Sequence, residues 1–188
     1  MDDISSIAAH LAAFRAPRRR PSTTSLFVVV ATAVLALAPG CSQDDGASGD
    51  PWPDAPLVDL NDEAPVELAD LADGTPTVVN FWASWCAPCR TEMPAFDQVA
   101  DDLDGQVAIV GITDESELDA ARDAADAADV SYPLLVDTDQ VLLSDLGISG
   151  LPGTVFLDED GNVIGRHLGK MDEDELTAEI EDRYGITT

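Results

Sequence analysis

The stretch Val78–Pro94, VVNFWASWCAPCRTEMP, decides how the rest of the chain is read. Thr77 to Trp82 is rich in β-branched and aromatic residues, the pattern of a buried strand. Cys86 and Cys89 follow, with only Ala87 and Pro88 between them. Proline suits the first turn of a helix, where a missing N–H removes no bond. A helix is therefore predicted from the cysteines to about Leu103. Cys86 then stands at its N-terminus, where unpaired backbone N–H groups and the helix dipole favour a thiolate. Thiols in such motifs have pKa values lowered to about 3.5–7.5. Cys89 lies one turn on, near enough to attack a mixed disulfide formed at Cys86. The spacing points to a reacting pair: Cys86 as nucleophile, Cys89 as resolving thiol, and their disulfide in place of any cofactor.

Other uses of two cysteines fit less well. Structural zinc wants four ligands, and beyond Cys41 the chain has no cysteine outside this pair and one histidine, His167. Covalent haem attachment needs histidine directly after the second cysteine; Arg90 is there. A loop this short constrains the unfolded chain too little to make a useful structural bridge.

Working outward, PLVDLND and APVELADL read as a short hairpin leading into a helical turn. Val107–Thr113 is a second buried strand, and Ser116–Ala128 an alanine-rich helix with Ser116 or Asp114 as its cap. YPLLVD is a short strand, and Gln140–Leu146 a short helix stopped by Gly147. TVFLDEDGNVIGRHL is a hairpin turning at Asp160-Gly161. Asp172–Tyr184 closes the chain as a helix capped by Asp172. Strands alternating with helices imply an α/β fold with a mainly parallel sheet covered on both faces.

The chain of 188 residues carries 37 acidic and 9 basic residues. Four of the bases, Arg15 and Arg18–Arg20, and only two of the acids precede Cys41. The remainder is acidic enough to repel nucleic acid and anionic lipid surfaces. With 45% hydrophobic residues it can still afford a core, and the balance resembles that of proteins from high-salt habitats. The front end reads as an address. The arginines form a positive n-region, and Leu26–Ala38 is an apolar run of 13 residues, short of the roughly 20 that span a bilayer. LAPGC, ending at Cys41, is similar to the lipobox of exported lipoproteins. Residues 1–41 are thus expected to be a signal peptide with lipid attachment at Cys41. Residues 42–54, rich in Ser, Gly, Asp and Pro, would be a flexible tether, with the folded domain at 55–188.

The segment Val78–Pro94, together with GISGLPGTVFLDEDGNVIGRHLG at Gly147–Gly169, resembles the thioredoxin superfamily. More narrowly it resembles the exported TlpA/ResA-like thiol–disulfide oxidoreductases. The resemblance implies a thioredoxin-like α/β fold: a mixed central sheet flanked by helices, an N-terminal hairpin, and a central helix–strand insertion at Ser116–Val136. It implies that Pro152 is a cis-proline facing the cysteines, presenting Leu151 to a partner strand. Trp85 and Pro88 would join Leu151 in docking the partner. Glu92, on the same helix face as Cys89, would tune the thiols and move protons, the more so because Asn80 stands where ordinary thioredoxins carry a buried acid. Pro94 matches the family's helix-kinking proline, with a structural role. Gly153 departs from the commoner threonine.

The implied partners are disulfide-bearing exported proteins, such as apocytochrome c or a copper-site protein, with a membrane thiol-reductase as electron donor. The implied location is outside the cell, tethered to the membrane. Two rival activities share the fold. A thiol peroxidase would carry threonine or serine and proline where Ala83 and Val79 stand. A Cu(I) carrier would add a late histidine, for which His167 is the candidate.

Overall fold

The computed structural model describes residues 49–72 and 74–187. The expected signal peptide, the lipid-attachment residue Cys41 and the first part of the tether lie outside the described residues. In chain order the elements are β1 (Asp50–Pro51), β2 (Leu57–Asp59), β3 (Pro65–Val66), α1 (Leu68–Ala72), β4 (Thr77–Phe81), α2 (Ala87–Leu103) and β5 (Ala108–Thr113). They continue with α3 (Leu118–Ala128), β6 (Leu134–Asp137), α4 (Leu142–Asp145), β7 (Gly153–Leu157), β8 (Asn162–Leu168) and α5 (Glu173–Tyr184).

The strands form one sheet in the order β1-β8-β7-β4-β5-β6-β2-β3. Only β4, β5 and β6 run parallel to one another; every other pairing is antiparallel. The sheet is mixed, as the family resemblance implied, and the mainly parallel sheet inferred from alternation is corrected. Only α2 and α3 act as crossovers between neighbouring parallel strands, whereas β2–β3 and β7–β8 are hairpins and so antiparallel. The expected N-terminal hairpin is β2–β3, and the insertion is α3 with β6, which pairs with β5 on one side and β2 on the other.

β4 sits centrally and all five of its residues are buried. Side chains alternate along it. Val78 and Trp82 pack into the core under α2, α3 and α5, while Val79 and Phe81 pack with Leu68 of α1 and Leu142 of α4 on the other face. Asn80 falls on the α2 side. That polar residue within an apolar strand fixes where the chemistry sits.

Several local expectations are corrected. Neither Ser116 nor Asp114 caps α3: Glu117 occupies the cap position and makes no side-chain cap bond. A cap must directly precede the first helical residue, and both expected residues stand too far ahead. The helix expected at Gln140–Leu146 is shorter, because Gln140 has φ 58°. The Asp137 carboxylate instead accepts the N–H groups of Gln140 (3.0 Å) and Leu142 (2.8 Å). Its end is as expected: Gly147 (φ 68°) donates to Ser144 O and Ile148 N–H to Leu143 O. The hairpin turns at Asp160-Gly161 as expected. Asp158 N–H bonds Asn162 O at 2.9 Å, so the pair forms the end of a three-residue loop with Gly161 at φ 79°. Pairing also begins before residue 55: Asp50 and Pro51 lie against Val163 and Asn162, and Trp52 stacks on Phe81 with centroids 6.5 Å apart. At the other end, Asp172 and Glu175 close a capping box on α5.

Candidate active site

The link from β4 to α2 is short and pinned at each step. Trp82 N–H donates to Ile112 O at 3.0 Å and Cys86 N–H to Ala83 O at 3.1 Å. Ser84 gives both its backbone N–H and its hydroxyl to the Glu115 carboxylate, each at 2.6 Å. Glu115 follows β5, the parallel neighbour of β4, so the sheet itself delivers this anchor. Cys86 is the N-cap of α2, with extended backbone, and its sulfur accepts the Cys89 N–H at 3.3 Å. The two cysteines are joined as a disulfide. Cys89 is wholly buried, whereas Cys86 keeps 4% exposure. Pro88 lies exposed in the first turn of α2. Trp85 stands 70% exposed, and Trp82 is entirely in the core. α2 runs without a break through Pro94.

The Leu151–Pro152 peptide is cis. β7 starts directly afterwards, with Gly153 opposite Phe81, the last residue of β4. The proline loop and the cysteine loop therefore leave the sheet at the same end. Gly169 N–H holds Pro152 O at 2.9 Å, and Leu151 packs, partly buried, against both cores. The glycine at 153 has a local cause: a β-carbon there would lie 2.5 Å from Ile148 Cγ2.

One turn along α2 from Cys89 lies a buried carboxyl group. Glu92 is 1% exposed. Its Oε1 accepts Asn80 Nδ2–H at 2.8 Å and its Oε2 accepts Met171 N–H at 3.0 Å. Burial pushes its pKa up to about 7, against the opposing pull of those two hydrogen bonds and of the nearby Lys170 charge. A carboxyl group that titrates near neutrality can both accept and return a proton. Asn80 thus serves as donor to the buried acid.

Sequence reasoning missed several contributors. Glu115 and the Met171 N–H reach the site only through the fold. Tyr132 is buried with its hydroxyl unpartnered, and burial, followed by the charges of Glu92 and Asp97, holds that hydroxyl neutral. Gly111 lets Tyr132 and Trp82 close in, since a β-carbon there would meet both within 3.2 Å. A residue without a side chain in a buried strand was the available signal. His167 lies on β8, in a groove with Met171, Glu175 and Asp182. Among the described residues no three His, Cys, Asp or Glu side chains group to hold a metal.

Comparison with known proteins gives a consistent picture. The sequence model of the Redoxin family matches residues 47–182. The chain is 35% identical over 135 residues to the thiol:disulfide interchange protein HelX of Rhodobacter capsulatus, covering 71% of this chain and 75% of that one. It is 32% identical over 136 residues to the thioredoxin-like protein YneN of Bacillus subtilis, covering 71% and 78%. A secreted Mycobacterium tuberculosis disulfide oxidoreductase, described as homologous to Escherichia coli DsbE, superposes with a TM-score of 0.58 at 28% identity, covering 68% of this chain and 94% of that one.

Proposed function

Because the chain belongs to the Redoxin family, and within the thioredoxin superfamily is a TlpA/ResA/DsbE-like thiol–disulfide oxidoreductase, we propose that it works outside the cell as a reductant of disulfides in other exported proteins. The observation that carries this reading is the Cys86–Cys89 disulfide at the mouth of α2, with Cys86 the less buried residue of the pair.

In the reduced enzyme, the Cys86 thiolate attacks one sulfur of a client disulfide. A mixed disulfide forms and the client's other sulfur leaves as a thiolate that takes up a proton. Cys89 then loses its proton and attacks Cys86 Sγ. The second client sulfur is released as a thiolate and protonated, and Cys86 and Cys89 are left oxidised. Glu92, poised near pH 7, accepts the Cys89 proton and returns it when the pair is reduced again. The Asn80 and Met171 donors hold it in place for this. Two electrons from a membrane thiol-reductase restore the dithiol.

Partner docking falls to Trp85, Pro88 and Leu151. Leu151 precedes the cis bond to Pro152 and offers its backbone to an extended client segment, in the manner of strand addition. The likeness to HelX, named as a thiol:disulfide interchange protein, and to a secreted disulfide oxidoreductase supports exchange with disulfides of exported proteins; the family resemblance adds apocytochrome c or a copper-site protein as candidate clients. The N-terminal segment supports export, with a lipid on Cys41 as the tether to the outer face of the membrane.

The test is a redox titration of the purified protein against glutathione, paired with an assay of protein-disulfide reduction. A reductant should poise toward the thioredoxin end of the scale, about −270 mV, and reduce protein disulfides when supplied with electrons. A potential near −120 mV, the approximate value for a strong oxidant, with no reductase activity would overturn the direction assigned here.

A further inference from the structure

Two buried side-chain atoms on the neighbouring strands β4 and β7 have no hydrogen-bond partner: Asn80 Oδ1 and Thr154 Oγ1. Both residues are fully buried. They are direct register partners in an antiparallel pair, so their side chains share one face with Cβ atoms roughly 5 Å apart. An amide oxygen only accepts, whereas a hydroxyl has a proton to give. A buried polar atom without a partner is costly, and a side-chain rotation or one buried water would join these two.

The consequence reaches the reacting site. The other end of the same amide, Nδ2, donates to Glu92. An amide turned round would set its oxygen against the carboxylate, an arrangement that requires a proton on Glu92. The side on which Asn80 lies therefore has to be held. On its other flank the register partner is Gly111, which has no side chain. That flank is closed by Trp82 and Tyr132, whose Nε1–H and hydroxyl are also without partners, but Thr154 is the residue directly paired with Asn80 that has a proton to offer.

We propose that Thr154 is a positioning residue of the exchange site, its hydroxyl donating to Asn80 Oδ1 and so keeping Nδ2 turned toward the Glu92 carboxylate. The proposal rests on the reading that Glu92 handles the Cys89 proton. Lys170 and Tyr132 interact electrostatically with Glu92, and Cys89 stands one turn before it on α2. The buried contributions of α3 and α5 to this core are alanines, Leu176 and Ile180. His167 is the register partner of Thr154 on β8, and it lines the groove with Glu175 and Asp182.

The experiment follows the Glu92 carboxyl by 13C NMR across pH in the reduced protein, with Glu92→Gln identifying the signal. It is run alongside the pH profile of thiol alkylation. Thr154→Val keeps the side-chain shape but removes the donor. Its Glu92 midpoint should move up by about one pH unit, the scale of a lost hydrogen bond to the charged form, and Thr154→Ser should restore the wild-type value. Thr154→Ala is read the same way should the valine variant fold poorly. An unmoved midpoint in the donor-less variant overturns the proposal. If the midpoint moves while the alkylation profile stays put, Thr154 positions Asn80 as proposed and the proton role of Glu92 is what fails. If the midpoint is unmoved but Glu92→Gln changes the alkylation profile, Glu92 keeps its role and Thr154 loses its own.

Discussion

Asn80 donates to Glu92 across 2.8 Å in a site closed to solvent, 12 residues apart in sequence and on facing elements, β4 and α2. The bond lowers the cost of the anion without abolishing it, because burial outweighs it. The site holds its acid at the edge of ionisation.

That balance makes stability depend on pH. The folded-state pKa of Glu92, about 7, lies above its ordinary value of 4.5. Between those values the folded chain holds a proton that the unfolded chain has lost, so this group's contribution to stability falls as pH rises through that window and is flat above it. Glu92→Gln removes the titration. Comparing urea unfolding of the oxidised variant and wild type from pH 4 to 8, the variant should gain on wild type by roughly 3 kcal/mol across the window. A constant difference would show that Glu92 ionises normally.

The anchor at Glu115 should be measurable too. Removing it by Glu115→Ala leaves Ser84 without the acceptor of its N–H and hydroxyl. The loss should cost about 1–3 kcal/mol, and hydrogen exchange should quicken at the Ser84 amide while central β4 amides keep their relative protection. Wild-type exchange at Ser84 would show that the loop is held by something else.

The docking role proposed for Trp85 can be separated from the chemistry. Being 70% exposed, it contributes little to folding, so Trp85→Ala should shift stability by no more than about 0.5 kcal/mol. Reduction of protein disulfides should slow roughly tenfold or more, the scale of an interface aromatic anchor, while reduction of a small disulfide stays near wild type. Equal slowing of both would place Trp85 in the chemistry rather than at the docking surface.

How much of this was legible in the sequence follows from how local each feature is. Cys86, Cys89 and Pro88 declare themselves because strand, cap and first helical turn are contiguous. Asp172 is visible as a cap because its partner Glu175 is three residues away. The surroundings of Glu92 are not local: the Met171 N–H comes from 79 residues away, and Thr154 meets Asn80 only because β7 joins β4 antiparallel. No periodicity announces that pairing, and the alternation of elements suggested more parallel sheet than the chain forms. The left-handed backbone at Gln140, which shortened α4, depends on the Asp137 carboxylate and on no helix-breaking residue. Gly153, which looked like a family departure, has its cause in Ile148, again a contact made by the fold.

The most direct test of the central claim is to trap the exchange. Cys89→Ser, incubated reduced with a protein carrying a disulfide, should accumulate a covalent adduct whose cross-link maps to Cys86 and is released by added dithiol. Cys86→Ser should form none and transfer no electrons. Cys86→Ser with undiminished disulfide reduction, or an adduct mapping to Cys89 in the wild-type chain, would contradict it.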